Sequence, residues 1–321
     1  MGKVKVCCIG CGNMATNFHY PSLAEMKDVE LAALSELNEK ILKAGVEKFG
    51  FKNAYRDYRE MLKKEEPDAV YAIVQPMSTY SVLEYCYSEG FNVFSEKPPA
   101  LTTYQTRVLV ETAKKKKLIT QVGYQRKYVP IVRTMRQMVE KNGPLNQFTV
   151  TFCKNMGNSL PGYGQGASIL TTDASHMLDC MLWLAGTETV KVSSFVRDSY
   201  KDNNVKYNAL ILFEKGVSGF FSANWNSGRR YLEIELHGNG CFARTDVEKT
   251  GVYYDKDHPD GITVTAQEAA GSILPHRVLG FFAQSRDFIE GVKKGKKPAG
   301  CLENALKTME LVDKIYGSSF L

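Results

Sequence analysis

The chain has 321 residues, 44% of them apolar and 24% charged, a size and composition typical of two soluble globular domains. This composition excludes a disordered or fibrous chain, and the apolar runs are too short for a membrane-spanning helix. The net charge of +6 comes from 41 Lys and Arg residues against 35 Asp and Glu residues. Such a small excess requires neither nucleic acid nor a membrane as a partner, and we expect neither.

The chain begins with a short apolar segment, Lys3 to Ile9, followed at once by the residues GCGNMA. A buried strand that runs into glycines and then a helix is typical of a dinucleotide-binding βαβ unit. Gly10 permits a tight turn, Gly12 lets the backbone approach a pyrophosphate, and Ala15 lets the helix pack closely on the sheet. The free N–H groups at the start of that helix would face the phosphates.

A second predicted strand, Val29 to Ser35, ends at Glu36. Glu36 follows Gly12 at about the 20-residue spacing of an acid that accepts the ribose 2′-hydroxyl of NAD. A carboxylate there would repel a 2′-phosphate, and Leu37 offers no positive charge in its place. The sequence therefore favours NAD over NADP. The alternative is that Glu36 is an ordinary surface acid at a strand end.

Strands and helices continue to alternate as far as Val122, whereas beyond residue 145 short strands follow one another. Alternation predicts a parallel sheet with helices on both faces, and it places ligands beyond the carboxyl ends of the strands. Consecutive strands predict a mostly antiparallel sheet that packs one face on helices. The fold class is therefore α/β. We expect a Rossmann doubly wound parallel sheet in residues 1–122 and an α+β domain in residues 123–321, whose final helix belongs to either domain.

Five motifs resemble, in order along nearly the whole chain, the signatures of the Gfo/Idh/MocA family of oxidoreductases. They are GCGNMA, DAVYAIVQP, SEKPPALT, VGYQRKYVP and ILTTDASHMLDCMLWLAG. The resemblance implies an NAD-dependent dehydrogenase that transfers a hydride between a nicotinamide and a secondary alcohol of a sugar, cyclitol or sugar derivative. It also implies a homodimer or homotetramer, with the second domain binding the substrate and supplying the subunit interface.

Lys97 corresponds to the lysine of the family's EKP motif. The two prolines that follow it would leave its backbone little freedom at the end of a strand. Its ammonium would orient and polarise a substrate hydroxyl, and the resemblance implies a cis Lys97–Pro98 bond. Without the resemblance, a surface lysine in a polar loop is an equal interpretation.

His176 is flanked by Asp173 and Asp179 within a helix predicted over Thr172 to Ala185. Spacing by three places Asp173 and His176 on one face of an α-helix, and a nearby carboxylate stabilises a protonated imidazole. By resemblance His176 is the base that accepts the hydroxyl proton. A metal site on these three residues lacks further convergent ligands, so we expect no metal.

The chain departs from the family pattern at two positions. Many members carry an acid four residues before the histidine, where this chain has Thr172, so contact between Asp173 and the substrate stays open. Many also carry a histidine after the strand that ends near Pro76, where this chain has Tyr80.

Together the crevice and the resemblance define the candidate site. The catalytic residues are Lys97, His176 and Asp173. Cofactor contacts are expected from Gly10, Cys11, Gly12, Asn13, Met14, Glu36, Gln75, Pro76, Tyr80, Glu96 and Lys97. Substrate contacts are expected from Tyr124, Arg126, Tyr163, Asp173 and His176, although the glycine-rich loop that carries Tyr163 is equally well a plain surface loop. His19 and His237 are expected to be structural.

Eight cysteines are present, and Cys8 and Cys11 form a CxxC without a second pair to complete a metal site. Most stand in apolar contexts, so we expect free thiols in a reducing, cytoplasmic compartment.

Other activities occur on the same architecture. Reductases and glycosidases that keep NAD bound share it, as does a non-catalytic NAD-sensing regulator. The presence of both Lys97 and His176 favours catalysis, because a sensor has no use for a base.

Overall fold

The computed structural model describes residues 2–156, 167–200 and 204–320, so Tyr163 lies outside the described residues. The chain forms two compact units. The first runs to Tyr124 and also contains Pro275–Arg277 and Phe281–Leu306. The second contains Gln125–Leu274, Val278–Gly280 and the residues from Lys307 onward. Within the described ranges, no helix has both the length and the hydrophobicity needed to cross a membrane.

The first unit is built on a six-stranded sheet in which the neighbouring strands are all parallel. Its strands are β1 (Val4–Ile9), β2 (Val29–Ser35), β3 (Asn53–Tyr55), β4 (Ala69–Ala72), β5 (Val93–Ser95) and β6 (Thr120–Val122). Their order, β3-β2-β1-β4-β5-β6, is that of a doubly wound Rossmann sheet with its reversal between β1 and β4. The predicted parallel sheet is confirmed. Strand β3 was not predicted, because it has only three residues and none of them is buried.

The helices as far as α5 follow the predicted alternation of strands and helices, and six more come later in the described chain. They are α1 (Tyr20–Ala24), α2 (Glu39–Phe49), α3 (Tyr58–Glu65), α4 (Pro76–Glu89), α5 (Thr103–Lys115), α6 (Pro130–Glu140), α7 (Ser175–Ala185), α8 (Ala266–Ala270), α9 (Pro275–Val278), α10 (Phe281–Lys294) and α11 (Leu302–Gly317). A π-helical turn, Ala15–His19, leads into α1. Helices α9 and α10 are separated near Gly280, which adopts a φ of 85°.

Both faces of the parallel sheet are covered, as β1 shows. Val6 and Cys8 belong to one buried apolar cluster, while Cys7 and Ile9 belong to the other. Since successive strand residues point to opposite faces, this alternation places one core on each side of the sheet.

The second unit is built on an eight-stranded sheet of order β14-β13-β12-β11-β7-β10-β9-β8. The strands are β7 (Gln147–Asn155), β8 (Thr189–Ser199), β9 (Asn204–Phe213), β10 (Ser218–Asn224), β11 (Asn226–Gly238), β12 (Cys241–Asp246), β13 (Thr250–Asp255) and β14 (His258–Thr265). The pairing of β7 with β10 is parallel, and the other pairs are antiparallel. The predicted, mostly antiparallel sheet is confirmed.

One face of this sheet packs on helices, whereas apolar side chains on the other face are partly exposed. Side chains of α6 and α7 share a single apolar core with the inward-facing residues Phe148, Phe152 and Trp225. The opposite face leaves Leu210 48% exposed, Leu212 40% exposed and Phe220 40% exposed.

Candidate active site

Two glycines in the turn after β1 have different roles. The backbone conformation requires glycine at position 10, whereas Gly12 has open space beside it. Gly10 adopts a φ of 90°, and a Cβ there would lie 2.2 Å from the carbonyl oxygen of Ile73, so no larger residue fits. Gly12 is exposed, and a Cβ at that position would meet nothing within 4 Å. The helical residues begin directly afterwards, at Asn13. A ligand can therefore approach the backbone at Gly12 and the N–H groups that follow it.

Glu36 links the end of β2 to this turn. Its Oε2 accepts a hydrogen bond of 3.0 Å from the N–H of Cys11, and its Oε1 accepts one of 2.9 Å from the N–H of Asn38. The side chain is half-buried, whereas Leu37 beside it is 77% exposed. A carboxylate has about four lone-pair sites, so Glu36 can still accept hydrogen bonds from ribose hydroxyls. The residues present at this strand end thus fit an adenine dinucleotide.

The strand ends after β4 and β5 lie at the same edge of the sheet. Gln75 is exposed immediately before α4, Pro76 occupies the first turn of that helix, and Tyr80 is half-buried. Helix α4 begins at Pro76, because proline suits the first turn of a helix. The strand order makes β1, β4 and β5 neighbours, so the residues following them meet, as the alternation predicted.

Lys97 follows β5 in a rigid segment. The Lys97–Pro98 peptide bond is cis, as the resemblance implies. Lys97 is half-buried, whereas Pro98 and Pro99 are buried.

Glu96, next to Lys97, has a buried partner that the sequence did not reveal. Its Oε1 lies 2.8 Å from Nε2 of His19, and its Oε2 accepts a hydrogen bond of 3.1 Å from the N–H of Lys97. His19 is fully buried, and Glu96 is 6% exposed. No spacing rule connects these residues, because they are 77 positions apart.

Tyr124 and Arg126 belong to different units. Tyr124 is buried in the apolar core of the first unit. Arg126 is buried in the second unit, with Nη2 3.7 Å from Oε1 of Glu248, which also pairs with Arg230 at 2.6 Å. Burial lowers the pKa of Arg126, and the Glu248 carboxylate opposes this shift. Burial of this guanidinium makes Arg126 a candidate for contact with a polar ligand.

His176 lies in the first turn of α7 and is 8% exposed. Asp173 precedes it in a π-helical turn, Leu170–Ala174, which replaces the predicted α-helical start at Thr172. A π-helical turn holds more residues than an α-helical one, so the face assigned from a three-residue spacing does not carry over.

Asp173 is held by two donors from the sheet. Its carboxylate accepts hydrogen bonds from Nζ of Lys154 and, at 3.2 Å, from Nε1 of Trp225. The Lys154 ammonium also lies 5.1 Å from the ring centroid of Phe152. Sequence reasoning missed Lys154 because it lies on β7, outside the helix that carries Asp173.

Asp179 makes its contacts one turn further along α7. Its Oδ1 accepts hydrogen bonds from Nζ of Lys127 at 3.0 Å and from Oγ1 of Thr308 at 3.4 Å. Burial raises the pKa of Asp179, and the Lys127 ammonium opposes this shift. Asp179 therefore anchors α7 within its unit.

The acidic, histidine and cysteine side chains form neither a metal site nor a redox-active pair among the described residues. In the parts of the chain that the structure describes, no group of three or more His, Cys, Asp or Glu side chains is arranged to hold a metal ion. Cys8 and Cys11 are buried free thiols, and burial raises the pKa of both. A redox-active CxxC needs a lowered thiol pKa, so this pair does not have that character.

Sequence comparisons agree with the fold. Residues 4–124 match the family model described as an oxidoreductase family with an NAD-binding Rossmann fold, and residues 132–242 match the GFO/IDH/MocA C-terminal domain. The myo-inositol 2-dehydrogenase of Thermotoga maritima is 27% identical over 303 residues, 91% of this chain and 89% of that protein. The D-glucoside 3-dehydrogenase of Escherichia coli is 28% identical over 196 residues, 59% of this chain but only 56% of that protein.

Solved structures show the same architecture. A dehydrogenase from Chromobacterium violaceum superposes with a TM-score of 0.90 at 19% identity, covering 99% of this chain and 96% of that one. A levoglucosan dehydrogenase in complex with NADH and levoglucosan superposes with a TM-score of 0.85 at 17% identity, covering 99% and 97%. Since the two family models together match most of the chain, it belongs to the Gfo/Idh/MocA family of NAD-binding oxidoreductases.

Proposed function

We propose that this protein is an NAD-dependent dehydrogenase acting on a secondary alcohol of a sugar, cyclitol or sugar derivative. The observation that carries the proposal is the meeting, at one edge of the parallel sheet, of the open Gly12 turn, the Glu36 carboxylate and the Lys97 segment. The sugar and inositol dehydrogenases among its relatives support this class of substrate.

The first unit would hold the cofactor. The Gly10–Met14 turn and the helix start take the pyrophosphate, and Glu36 takes the ribose hydroxyls. Residues following β4 and β5 border the nicotinamide end. When bound, NAD supplies the acceptor for the hydride that leaves the carbinol carbon of the substrate.

Lys97 and His176 would act on the substrate hydroxyl. The Lys97 ammonium donates a hydrogen bond to the hydroxyl oxygen and stabilises negative charge that develops there. His176 accepts the hydroxyl proton. Arg126, Tyr124, Asp173 and Tyr163 are proposed to orient the substrate.

The test is a substrate panel combined with two variants. Purified protein is assayed with NAD⁺ and NADP⁺ against myo-inositol, D-glucose, methyl glucosides, D-apiose and levoglucosan. A positioned base contributes about 10²- to 10⁴-fold, so His176→Asn should lower kcat by that factor and leave the Kd of NADH nearly unchanged. Lys97→Met should behave likewise. Undiminished kcat in either variant removes that residue from the reaction.

A double-mutant cycle tests whether both residues serve the same hydroxyl. If they do, Lys97→Met/His176→Asn should be far less impaired than the product of the two single effects. Independent, multiplicative effects would contradict the proposal. A panel without turnover, from a protein that retains cofactor tightly, would favour a sensor or a glycosidase with a closed redox cycle.

NAD is proposed over NADP because of the Glu36 charge. Glu36→Ser/Leu37→Arg removes that charge and supplies a cation for a 2′-phosphate. The ratio of kcat/KM for NADP⁺ over NAD⁺ should rise at least about tenfold, the equivalent of 1.4 kcal/mol. An unchanged ratio would show that Glu36 does not read the ribose.

We also propose a cytoplasmic homodimer or homotetramer. The apolar side chains Leu210, Leu212 and Phe220 on the open sheet face support self-association. The free cysteines support a reducing compartment. Light scattering coupled to gel filtration measures the mass, and a monomer would contradict the oligomer.

A further inference from the structure

The Glu96 carboxylate is held between two donors in the interior of the first unit. One oxygen faces the His19 imidazole at 2.8 Å, and the other accepts the Lys97 N–H at 3.1 Å. A Cβ on Gly123 would lie only 3.1 Å from the carboxylate atoms, so a larger residue at that position would crowd Glu96. A carboxylate that is only 6% exposed depends on such donors, because burial without them is costly.

Lys97 supplies the backbone N–H group of the segment formed by residues 97–99. Pro98 and Pro99 carry no N–H, so between Lys97 and Pro99 the chain has one backbone donor. That donor binds Glu96. The Glu96 carboxylate therefore helps to fix the position of the Lys97 backbone.

His19 is itself tightly enclosed. Its ring lies 5.1 Å from that of Phe94 and 5.3 Å from that of Phe281, both in edge-on arrangements, and 6.4 Å from that of Tyr71. Its Nδ1 is buried and has no hydrogen-bond partner among the residues that the structure describes, so the polar contact of this imidazole there is with Glu96. A ring enclosed in this way has little freedom to move away from Glu96.

We propose that His19 is a positioning residue, which acts through Glu96 to hold the Lys97 backbone so that the Lys97 ammonium meets the substrate hydroxyl. This inference rests on the proposed role of Lys97. A misplacement of about 1 Å at a catalytic group can cost about 10²-fold in rate, so loss of this bond would lower kcat although His19 contacts no substrate.

Hydrogen exchange tests the arrangement without any substrate. In His19→Leu, the Lys97 amide should exchange at least about tenfold faster than in wild type, since its acceptor is no longer held. His19→Gln keeps an N–H donor in reach of Glu96 and should restore most of the protection. Because the two prolines have no amide, deuterium in the 97–99 stretch reports Lys97 alone. Unchanged protection in His19→Leu would overturn the inference.

A second histidine of the same unit supplies the matched control. His276 is 6% exposed and pairs with Glu25, with Nε2 to Oε1 at 2.5 Å. His276→Leu should lower thermal stability as His19→Leu does. It should leave the Lys97 amide and kcat alone. If His276→Leu also exposes that amide, the effect is general loosening and the positioning role is excluded.

Kinetics then separate this inference from the proposed function. On the panel substrate with the highest turnover, His19→Leu should lower kcat about 10- to 100-fold, and His19→Gln should recover most of it. In a Lys97→Met background, His19→Leu should have little further effect, because His19 acts through Lys97. If the effects of His19→Leu and Lys97→Met on kcat multiply instead, the positioning role of His19 is excluded, while the proposed function stands. A Lys97→Met variant with wild-type kcat would overturn the proposed function, while the exchange result still decides the His19 contact.

Discussion

Lys127 and Asp179 form a buried ion pair, with Nζ to Oδ1 at 3.0 Å and each side chain 3% exposed. Asp179 lies three residues after His176 on α7, so this pair fixes the helix that carries the candidate base. Neither residue is among the reacting groups that we propose. Loss of this ion pair should therefore lower the free energy of unfolding.

Lys127→Met should destabilise the protein strongly. It leaves the Asp179 carboxylate buried without its ammonium, a change that typically costs about 3 to 5 kcal/mol. Lys127→Met/Asp179→Asn removes the unpaired charge and should recover a large part of the loss. Urea unfolding followed by tryptophan fluorescence measures both variants. Equal stability of Lys127→Met and wild type would show that the pair contributes nothing.

The two glycines of the β1 turn should respond oppositely to alanine. Gly10→Ala places a Cβ against the Ile73 carbonyl in a backbone with a φ of 90°. We expect the free energy of unfolding to fall by at least about 1 to 3 kcal/mol, the cost of the strained backbone alone. Gly12→Ala meets open space and should stay within about 1 kcal/mol of wild type while weakening NADH binding. Thermal unfolding and NADH fluorescence titration separate the two effects. Wild-type affinity in Gly12→Ala would place the pyrophosphate elsewhere.

Asp28 should give stability an acid-sensitive component. Hydrogen bonds from Arg286 and Lys293 hold the pKa of Asp28 well below its usual range. Because the pKa is lower in the folded state, the unfolded chain takes up this proton first as the pH falls. The stabilisation is complete above about pH 4, the ordinary pKa of the side chain, and is lost below it.

Asp28→Asn isolates that component. Near pH 7 the variant should be roughly 1 to 2 kcal/mol less stable than wild type, since the Arg286 contact is bidentate at 2.8 and 2.9 Å. The difference should shrink as the pH drops from 4 to 2. Thermal unfolding of both proteins across this range checks it. A constant difference would mean that the charge of Asp28 is not responsible.

Local patterns predicted the first unit well. Strand β2 matches its predicted bounds, because an apolar run is a local signal. The doubly wound parallel sheet was predicted from the alternation of strands and helices. In the second unit, β13 and β14 were not predicted, since their charged and half-exposed residues give a weak apolar signal.

The polar contacts around the site could not be predicted in the same way. The His19–Glu96 and Lys154–Asp173 pairs join elements that only the folded chain brings together. The π-helical turn at Asp173 has no local signature, so a three-residue spacing was taken for an α-helical face. Motif resemblance identified Lys97 and His176 as candidates, but the partners of their neighbours depend on tertiary packing.

Helix α10 belongs to the first unit although it lies near the C-terminal end of the chain. Phe288 and Ile289 fill the same core as Val6, and Arg286 binds Asp28 across 258 positions of sequence. On the ribosome, the N-terminal sheet therefore emerges long before the helix that seals one of its faces. A fragment that stops at Tyr124 would lack α10 and expose the apolar surface that this helix covers in the folded chain, and exposed surface of this kind binds chaperones.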